Sequence, residues 1–334
     1  MERRRLGSGG AAVGALGLGC MGMSWAYGPA DAGESVATVQ AALEAGMNLL
    51  DTGDFYGTGH NEELIAQAIR GRRDQAVISV KFGALRDPGG ALIGFDARPA
   101  SVKNFLAYTL RRLGTDHVDI YRLARLDPAV PIEDTVGAIA DLIRAGHVRG
   151  LGLSEVGAAT LRRAHAVQPV VDLQIEYSLM SRGIEAAILP ACRELGVGVT
   201  AYGVLSRGLL GGRLDATTKL AFDDFRARAP RFTGANLAHN LDLVEALRSL
   251  AAARGATPAQ LAIAWVLHQG GDIVPLVGAR RRDRLAEALG ALAIRLDIDA
   301  LARIEAALPA AAVAGERYDA HGMRMLDSEA PHGA

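Results

Sequence analysis

Eight apolar runs of β type, separated by stretches of helical periodicity, constrain this chain more than any other feature. They fall at residues 15–20, 47–51, 76–80, 118–123, 148–153, 170–174, 197–202 and 273–277. Strands that alternate with helices lie parallel in one sheet, and eight is the number that closes such a sheet into a (β/α)8 barrel. The intervening segments carry helix signals. Ser101 can cap a helix with Val102, Phe105, Leu106 and Leu110 on one face. Val136, Ile139, Ala140 and Ile143 repeat at helical spacing until Gly146. Thr257-Pro258 reads as a cap and a first-turn proline, with Leu261, Ala264, Trp265 and His268 beneath. At 334 residues the chain has the length of one barrel, and no linker or internal repeat divides it. One barrel domain over 1–334 is expected, with a tail after about residue 310 that either folds over the mouth or is disordered.

A doubly wound sheet is the rival architecture. Gly17, Gly19 and Gly22 match the spacing of a dinucleotide fingerprint. However, Met23-Ser24-Trp25-Ala26-Tyr27-Gly28-Pro29 follows, which is not a helix start, and no acidic residue ends a second strand about twenty residues on. Glycines that let backbone approach a ligand at the end of the first strand are the better reading.

Other features narrow the function by exclusion. The formal net charge of −1 provides no field to recruit nucleic acid or an acidic membrane surface. Cys20 and Cys192 make neither a disulfide framework nor a zinc spacing, which fits a cytoplasmic protein. The eight histidines show no metal-ligand spacing either. Arg3-Arg4-Arg5 precedes an uncharged stretch from Leu6 to Ala30, as in an export signal. Its glycines break up the apolar block, so a short hairpin ahead of the first barrel strand is expected instead. No other stretch has the length and purity of a membrane span.

The chemistry is carried by Asp51, Tyr56 and Lys81. One apolar run ends at Asp51, a turn containing Gly53 and Gly57 carries Tyr56, and the next apolar run ends at Lys81. Adjacent parallel strands would bring a carboxylate, a phenol and an ammonium together at the carboxyl face. A nearby ammonium favours the phenolate, and the carboxylate holds the ammonium in place. That set can make a tyrosine a general acid. Long loops at this face handle ligand, and residues 206–236 form the longest interruption of the strand–helix rhythm. Trp25 and Tyr27, with that loop, suggest a partly apolar substrate pocket.

These residues resemble the aldo-keto reductases over nearly the whole chain. The matching segments are Gly17 to Gly22, Asp51-Thr52 through Tyr56-Gly57, Asn61-Glu62-Glu63-Leu64, Lys81, Pro131 to Thr135, Gly152-Leu153-Ser154-Glu155, Gln174 and Tyr202 through Gly208. The resemblance implies reduction of an aldehyde or ketone by NADPH, with Tyr56 protonating the carbonyl oxygen, Lys81 lowering its pKa and Asp51 anchoring Lys81. It implies that Ser154 and Gln174 hold the nicotinamide carboxamide and that Tyr202 stacks on its ring. Met21, Gly22 and Glu155 fall in the same cofactor set. Leu205 and Arg207 match residues near the pyrophosphate. Gly278 leads into Arg280, Arg281, Arg282 and Arg284, where the family places the adenosine 2′-phosphate, and Arg280 and Arg284 match best. Helix N-termini and arginine forks both suit a phosphate. Glu287 matches an adenine contact, whereas Ala288 departs from the usual asparagine.

The largest departure is Ala124, which stands where the family has a histidine that orients the substrate oxygen. Losing such a donor typically lowers turnover by about 10² to 10³. An engineered replacement, a natural site with another donor, and an NADPH-binding sensor with little turnover all remain open. Arg122 faces the same way as residue 124 along the strand and is a candidate replacement donor. Its other reading is a structural pair with an interior carboxylate.

Overall fold

The computed structural model describes residues 1–215, 217–218, 220 and 224–330. Eight parallel strands close into a barrel in chain order. They are β1 (Gly17–Gly19), β2 (Leu49–Gly53), β3 (Val77–Phe82), β4 (Val118–Leu123), β5 (Val148–Ser154), β6 (Val170–Glu176), β7 (Gly198–Tyr202) and β8 (Ile273–Gly278). Every expected strand is present, with ends that differ by a few residues. The ladder from β8 to β1 pairs Leu276 with Gly17 and Gly278 with Gly19, so no sheet edge remains and the doubly wound alternative is excluded.

Helices α1 (Ala32–Glu44), α2 (His60–Ala68), α3 (Pro99–Leu113), α4 (Ile132–Arg144), α5 (Ala158–Val167) and α6 (Ile188–Leu195) follow the first six strands in turn. Helices α7 (Gly234–Ala252) and α8 (Pro258–Leu267) lie between β7 and β8, and α9 (Arg282–Leu289) follows β8. Thr257 forms a complete capping box with Gln260 at the start of α8. Gly146, just past α4, takes the left-handed conformation (φ 83°) that ends a helix. Ser101 is not a cap. Pro99 pre-sets the helical φ, so α3 starts before Ser101, whose hydroxyl donates to Asp96 at 2.7 Å.

The stretch expected to be a long ligand-handling loop contains short 3-10 turns at Ser206–Gly211, Phe225–Arg228 and Pro230–Phe232. Residues 216, 219 and 221–223 of it lie outside the described set. Among the described residues no helix is long and apolar enough to cross a membrane.

A hairpin of Arg3–Arg5 with Ala12–Gly14 precedes the barrel, as expected. It seats Leu6 and Val13, both fully buried, against Leu49, Val77, Ile120, Val274 and Leu276. The amino end of the barrel is therefore sealed by apolar side chains. Above that layer the interior turns polar. Alternation along the strands puts Asp51, Lys81, Arg122, Asp172, Gln174 and Thr200 inside, all buried. Gly152 makes room for this layer, because a Cβ there would stand 2.8 Å from Ile120 and 3.2 Å from the Cβ of Arg122.

Candidate active site

The buried polar layer is one connected set of charges. Strand register aligns Gly53 with Lys81, Lys81 with Arg122 and Arg122 with Gly152. Lys81 Nζ donates to Asp51 Oδ2. The other oxygen of Asp51 accepts from Arg122 Nη1 at 2.6 Å and from Gln174 Nε2 at 2.8 Å. Arg122 Nη2 donates to Asp172, which also accepts from Thr200. Burial opposes the charge on Asp51, yet Lys81 and Arg122 hold its carboxyl below the ordinary range. Lys81 is lowered to about 8, chiefly by burial, with the Arg122 charge adding to the effect.

Tyr56 is placed over this layer by the loop after β2. Its amide donates to Gly53 O at 3.0 Å, and its carbonyl accepts from the Asn61 amide at 3.3 Å. Asn61, fully buried, pins the loop from α2. Its side chain accepts from Thr52 at 2.6 Å and donates to Cys20 O and Ser24 Oγ at 2.9 and 2.8 Å. Lys81 Nζ lies 5.3 Å from the centroid of the Tyr56 ring. The Tyr56 hydroxyl makes no hydrogen bond to any described residue and is free to donate to a ligand. Burial raises its pKa well above the ordinary value, Asp51 adds to this, and Arg125 and then Arg122 oppose it. The expected lowering by Lys81 is therefore absent from this state of the site. Loss of solvent and the nearby Asp51 carboxylate outweigh what the surrounding cations contribute.

Arg122 takes the structural alternative. Both of its terminal nitrogens are engaged by interior carboxylates, one layer below the mouth. The cation nearest in effect to the phenol is Arg125, one residue past Ala124. Its Nη1 donates to Ala124 O at 2.6 Å and contacts Ser154 Oγ at 3.4 Å.

The residues matched to a nicotinamide meet at the mouth. Gln174 is in register with Ser154 on one side and Thr200 on the other. Tyr202 ends β7, and its hydroxyl donates to Glu155 at 2.7 Å. Sequence reasoning left open whether the tail folds over this mouth, and Arg317, Tyr318 and Ser328 of it do. Arg317 is buried there, bound to both oxygens of Glu155 at 2.5 and 2.9 Å and to Glu176 at 3.3 Å. Tyr318 Oη lies 3.1 Å from Tyr202 Oη. Glu155 and Arg207 hold left-handed backbone (φ 56° each), a strained state common at ligand sites. Arg207 is turned inward. It pairs with Glu176 at 3.0 Å, and its guanidinium stacks 4.1 Å from the centroid of the Tyr318 ring. Leu205 lies beside it on the same turn.

Farther out, the exposed Gly278 ends β8 and α9 begins with the basic run. Arg280 Nη1 donates to the carbonyls of Tyr27, Gly28 and Pro29, which ties the helix to the loop after Met21 and Gly22. Arg281 and Arg282 are engaged by Asp283 and Glu34, whereas Arg284 makes only loose contacts, 3.4 Å to Glu287 and 3.7 Å to Asp283. Glu287 also accepts from Arg213 at 2.8 Å. Trp25 joins Phe55 and Tyr56 in one aromatic cluster, while Tyr27 faces Phe225 across 5.4 Å. Asp172, Glu176, Arg125 and Arg317 were missed by sequence reasoning. The alternation of Asp172, Gln174 and Glu176 along one strand face could have revealed two of them. Nothing in the tail marks Arg317.

A closed (β/α)8 barrel with a tyrosine set over a buried lysine–aspartate pair at its carboxyl face is the architecture of an oxidoreductase barrel. The family model for the Aldo/keto reductase family matches residues 15–309, so the chain belongs to that family. Among solved structures, a glycerol dehydrogenase from Gluconobacter oxydans is 27% identical, with a TM-score of 0.85 over 99% of this chain and 98% of that one. An aldo-keto reductase from Klebsiella pneumoniae, solved in complex with NADPH, is 28% identical, with a TM-score of 0.72 over 92% of this chain and 96% of that one. One from Bacillus halodurans, solved in its holo form, is 26% identical, with a TM-score of 0.77 over 96% of this chain and 99% of that one.

Proposed function

We propose that this protein reduces an aldehyde or ketone with NADPH and that Tyr56 is the proton donor. The observation that carries the reading is the free Tyr56 hydroxyl above the buried Lys81–Asp51 pair. The NADPH complex of the Klebsiella relative supports the cofactor, and so do the open groups of this chain. Ser154 is 2% exposed, yet its hydroxyl has only the long contact to Arg125. The Gln174 amide donates to Asp51, which leaves its carbonyl oxygen for a carboxamide. Arg284, with only long contacts, remains available to a phosphate, whereas the first amide of α9, Arg282 N, donates to Glu34 at 2.9 Å. These residues fit the group, and Ser154, Gln174, Tyr202, Arg280 and Arg284 would hold it.

The reduced nicotinamide, when bound, supplies the hydride. The protein supplies the proton and the electrostatics. Burial keeps the phenol protonated until a carbonyl oxygen accepts from it. As negative charge develops on Tyr56, the Lys81 ammonium beneath the ring stabilises it, and Asp51 keeps that ammonium in place. Ala124 provides no imidazole beside the oxygen. That absence supports a second reading, an NADPH-binding sensor with little turnover.

The two are separated by following NADPH absorbance with 4-nitrobenzaldehyde. Rapid oxidation that is abolished in Tyr56→Phe is expected of the reductase. Tight NADPH binding with no turnover across a broad carbonyl panel is the result expected of the sensor. Ala124→His serves as the control: a large gain marks the alanine as a defect, and no gain marks a site adapted to it.

A further inference from the structure

We infer that the carbonyl substrate carries a carboxylate and that Arg86 is the group that recognises it. This rests on the reduction proposed above and names its substrate class. Arg86 lies on the rim hairpin after β3, formed by Ala84–Arg86 and Leu92–Phe95. Its guanidinium lies 4.0 Å from the Trp25 ring centroid and 5.9 Å from that of Phe55. Phe55 in turn meets Tyr56 with centroids 4.8 Å apart. The cation thus sits in the aromatic cluster that contains the proposed proton donor.

Its hydrogen bonding is incomplete. Nη1 donates to Gly90 O, but Nε and Nη2 are shielded from solvent and have no partner. No carboxylate pairs with Arg86 among the described residues. The buried arginines Arg122, Arg207, Arg231 and Arg317 are paired, Arg122 with Asp51 and Asp172, Arg207 and Arg231 with Glu176, and Arg317 with Glu155. Stacking on an indole uses the face of a guanidinium and leaves its edges free. Nε and Nη2 form one edge, whose two parallel N–H bonds match a carboxylate bidentately. Buried donors with nothing to donate to are rare, and a ligand completes this one. Arg125 adds a second cation with no ion pair among the described residues, within electrostatic reach of the same phenol. Two unpaired guanidiniums beside one tyrosine favour an oxo acid over a neutral carbonyl compound. Solvent touches neither free nitrogen of Arg86, so a carboxylate reaches them only with a rearrangement of side chains at the rim.

The test compares 4-carboxybenzaldehyde with its neutral methyl ester. The wild-type protein is expected to favour the acid in kcat/KM by roughly ten- to a hundredfold, the range of a charged hydrogen bond. Arg86→Met, which keeps the stacking volume, is expected to lose that preference mainly through KM and to leave the ester within about threefold. Arg86→Lys is expected to recover part of it. An unchanged acid-to-ester ratio in Arg86→Met overturns the inference. If neither aldehyde is reduced, the proposed function fails, and benzoate binding decides the subsite separately. Titration in the presence of NADP⁺, read by tryptophan fluorescence, is expected to saturate in the wild type and to weaken in Arg86→Met. Trp265 is fully buried, so the signal comes from Trp25. Benzoate binding that is absent, or equal in the two proteins, overturns the inference.

Discussion

Arg122 and Lys81 show how neighbours decide what a charged side chain does. Arg122 was legible as an inward-facing residue from strand alternation, but its partners were not, because Asp51 and Asp172 lie on other strands. With both carboxylates on its guanidinium, Arg122 holds the layer beneath the site together. Arg122→Met leaves those carboxylates buried without that cation. It is expected to lower unfolding stability by about 3–5 kcal/mol in urea melts. Near-normal stability together with a selective loss of turnover would return Arg122 to the role of substrate donor. Lys81 makes a different prediction. Its pKa, lowered to about 8 chiefly by burial, means that the ammonium is present below that pH and is lost as pH rises through it. In the proposed reaction that charge stabilises the developing phenolate, so kcat is expected to decline as pH rises through about 8. A flat profile from pH 7 to about 10, well past the free-lysine range, would show that the charge does no work.

Among the elements, the tail was the least readable and has the largest consequence. Its Ala-rich composition admitted a fold over the mouth or disorder, and only the buried acids Glu155 and Glu176 choose between them by drawing Arg317 inward. Burial alone would push the Glu155 carboxyl up, yet Arg317 and Arg125 pull it down to about 2. A depressed carboxyl pKa stabilises the fold above the unfolded value of about 4.3 and loses that contribution as pH falls towards the folded value. Arg317→Ala is therefore expected to lower Tm at pH 7, with the gap from wild type closing as pH falls from about 4.5 to about 2. A gap independent of pH would mean that Arg317 acts by packing alone. The helix signals divide the same way. The cap at Thr257, followed by Pro258, is purely local and was read correctly, although its reciprocal partner Gln260 was not named. The start of α3 was misplaced because Pro99 acts before Ser101 can.

At the scale of the whole molecule, the barrel separates stability from chemistry along its axis. The hairpin seals one end with Leu6 and Val13, and the polar layer opens toward the other. Leu6→Ala is expected to cost about 2–5 kcal/mol in denaturant unfolding, the range for a buried leucine. It leaves turnover per folded molecule unchanged, because the plug lies at the opposite end from Tyr56. A comparable loss of activity in the folded protein would join the two ends.

Strand count, strand order and the Asp51–Tyr56–Lys81 set followed from the chain alone, because apolar periodicity and the short reach of one β–turn unit are local properties. What sits across the barrel did not follow. The pairing of Arg122 with Asp172, the capture of Arg317 by Glu155 and the unpartnered edge of Arg86 join residues far apart in sequence. Only closure of the sheet sets those distances, and in a solvent-poor interior distance decides which charge is neutralised and which is left open to a ligand.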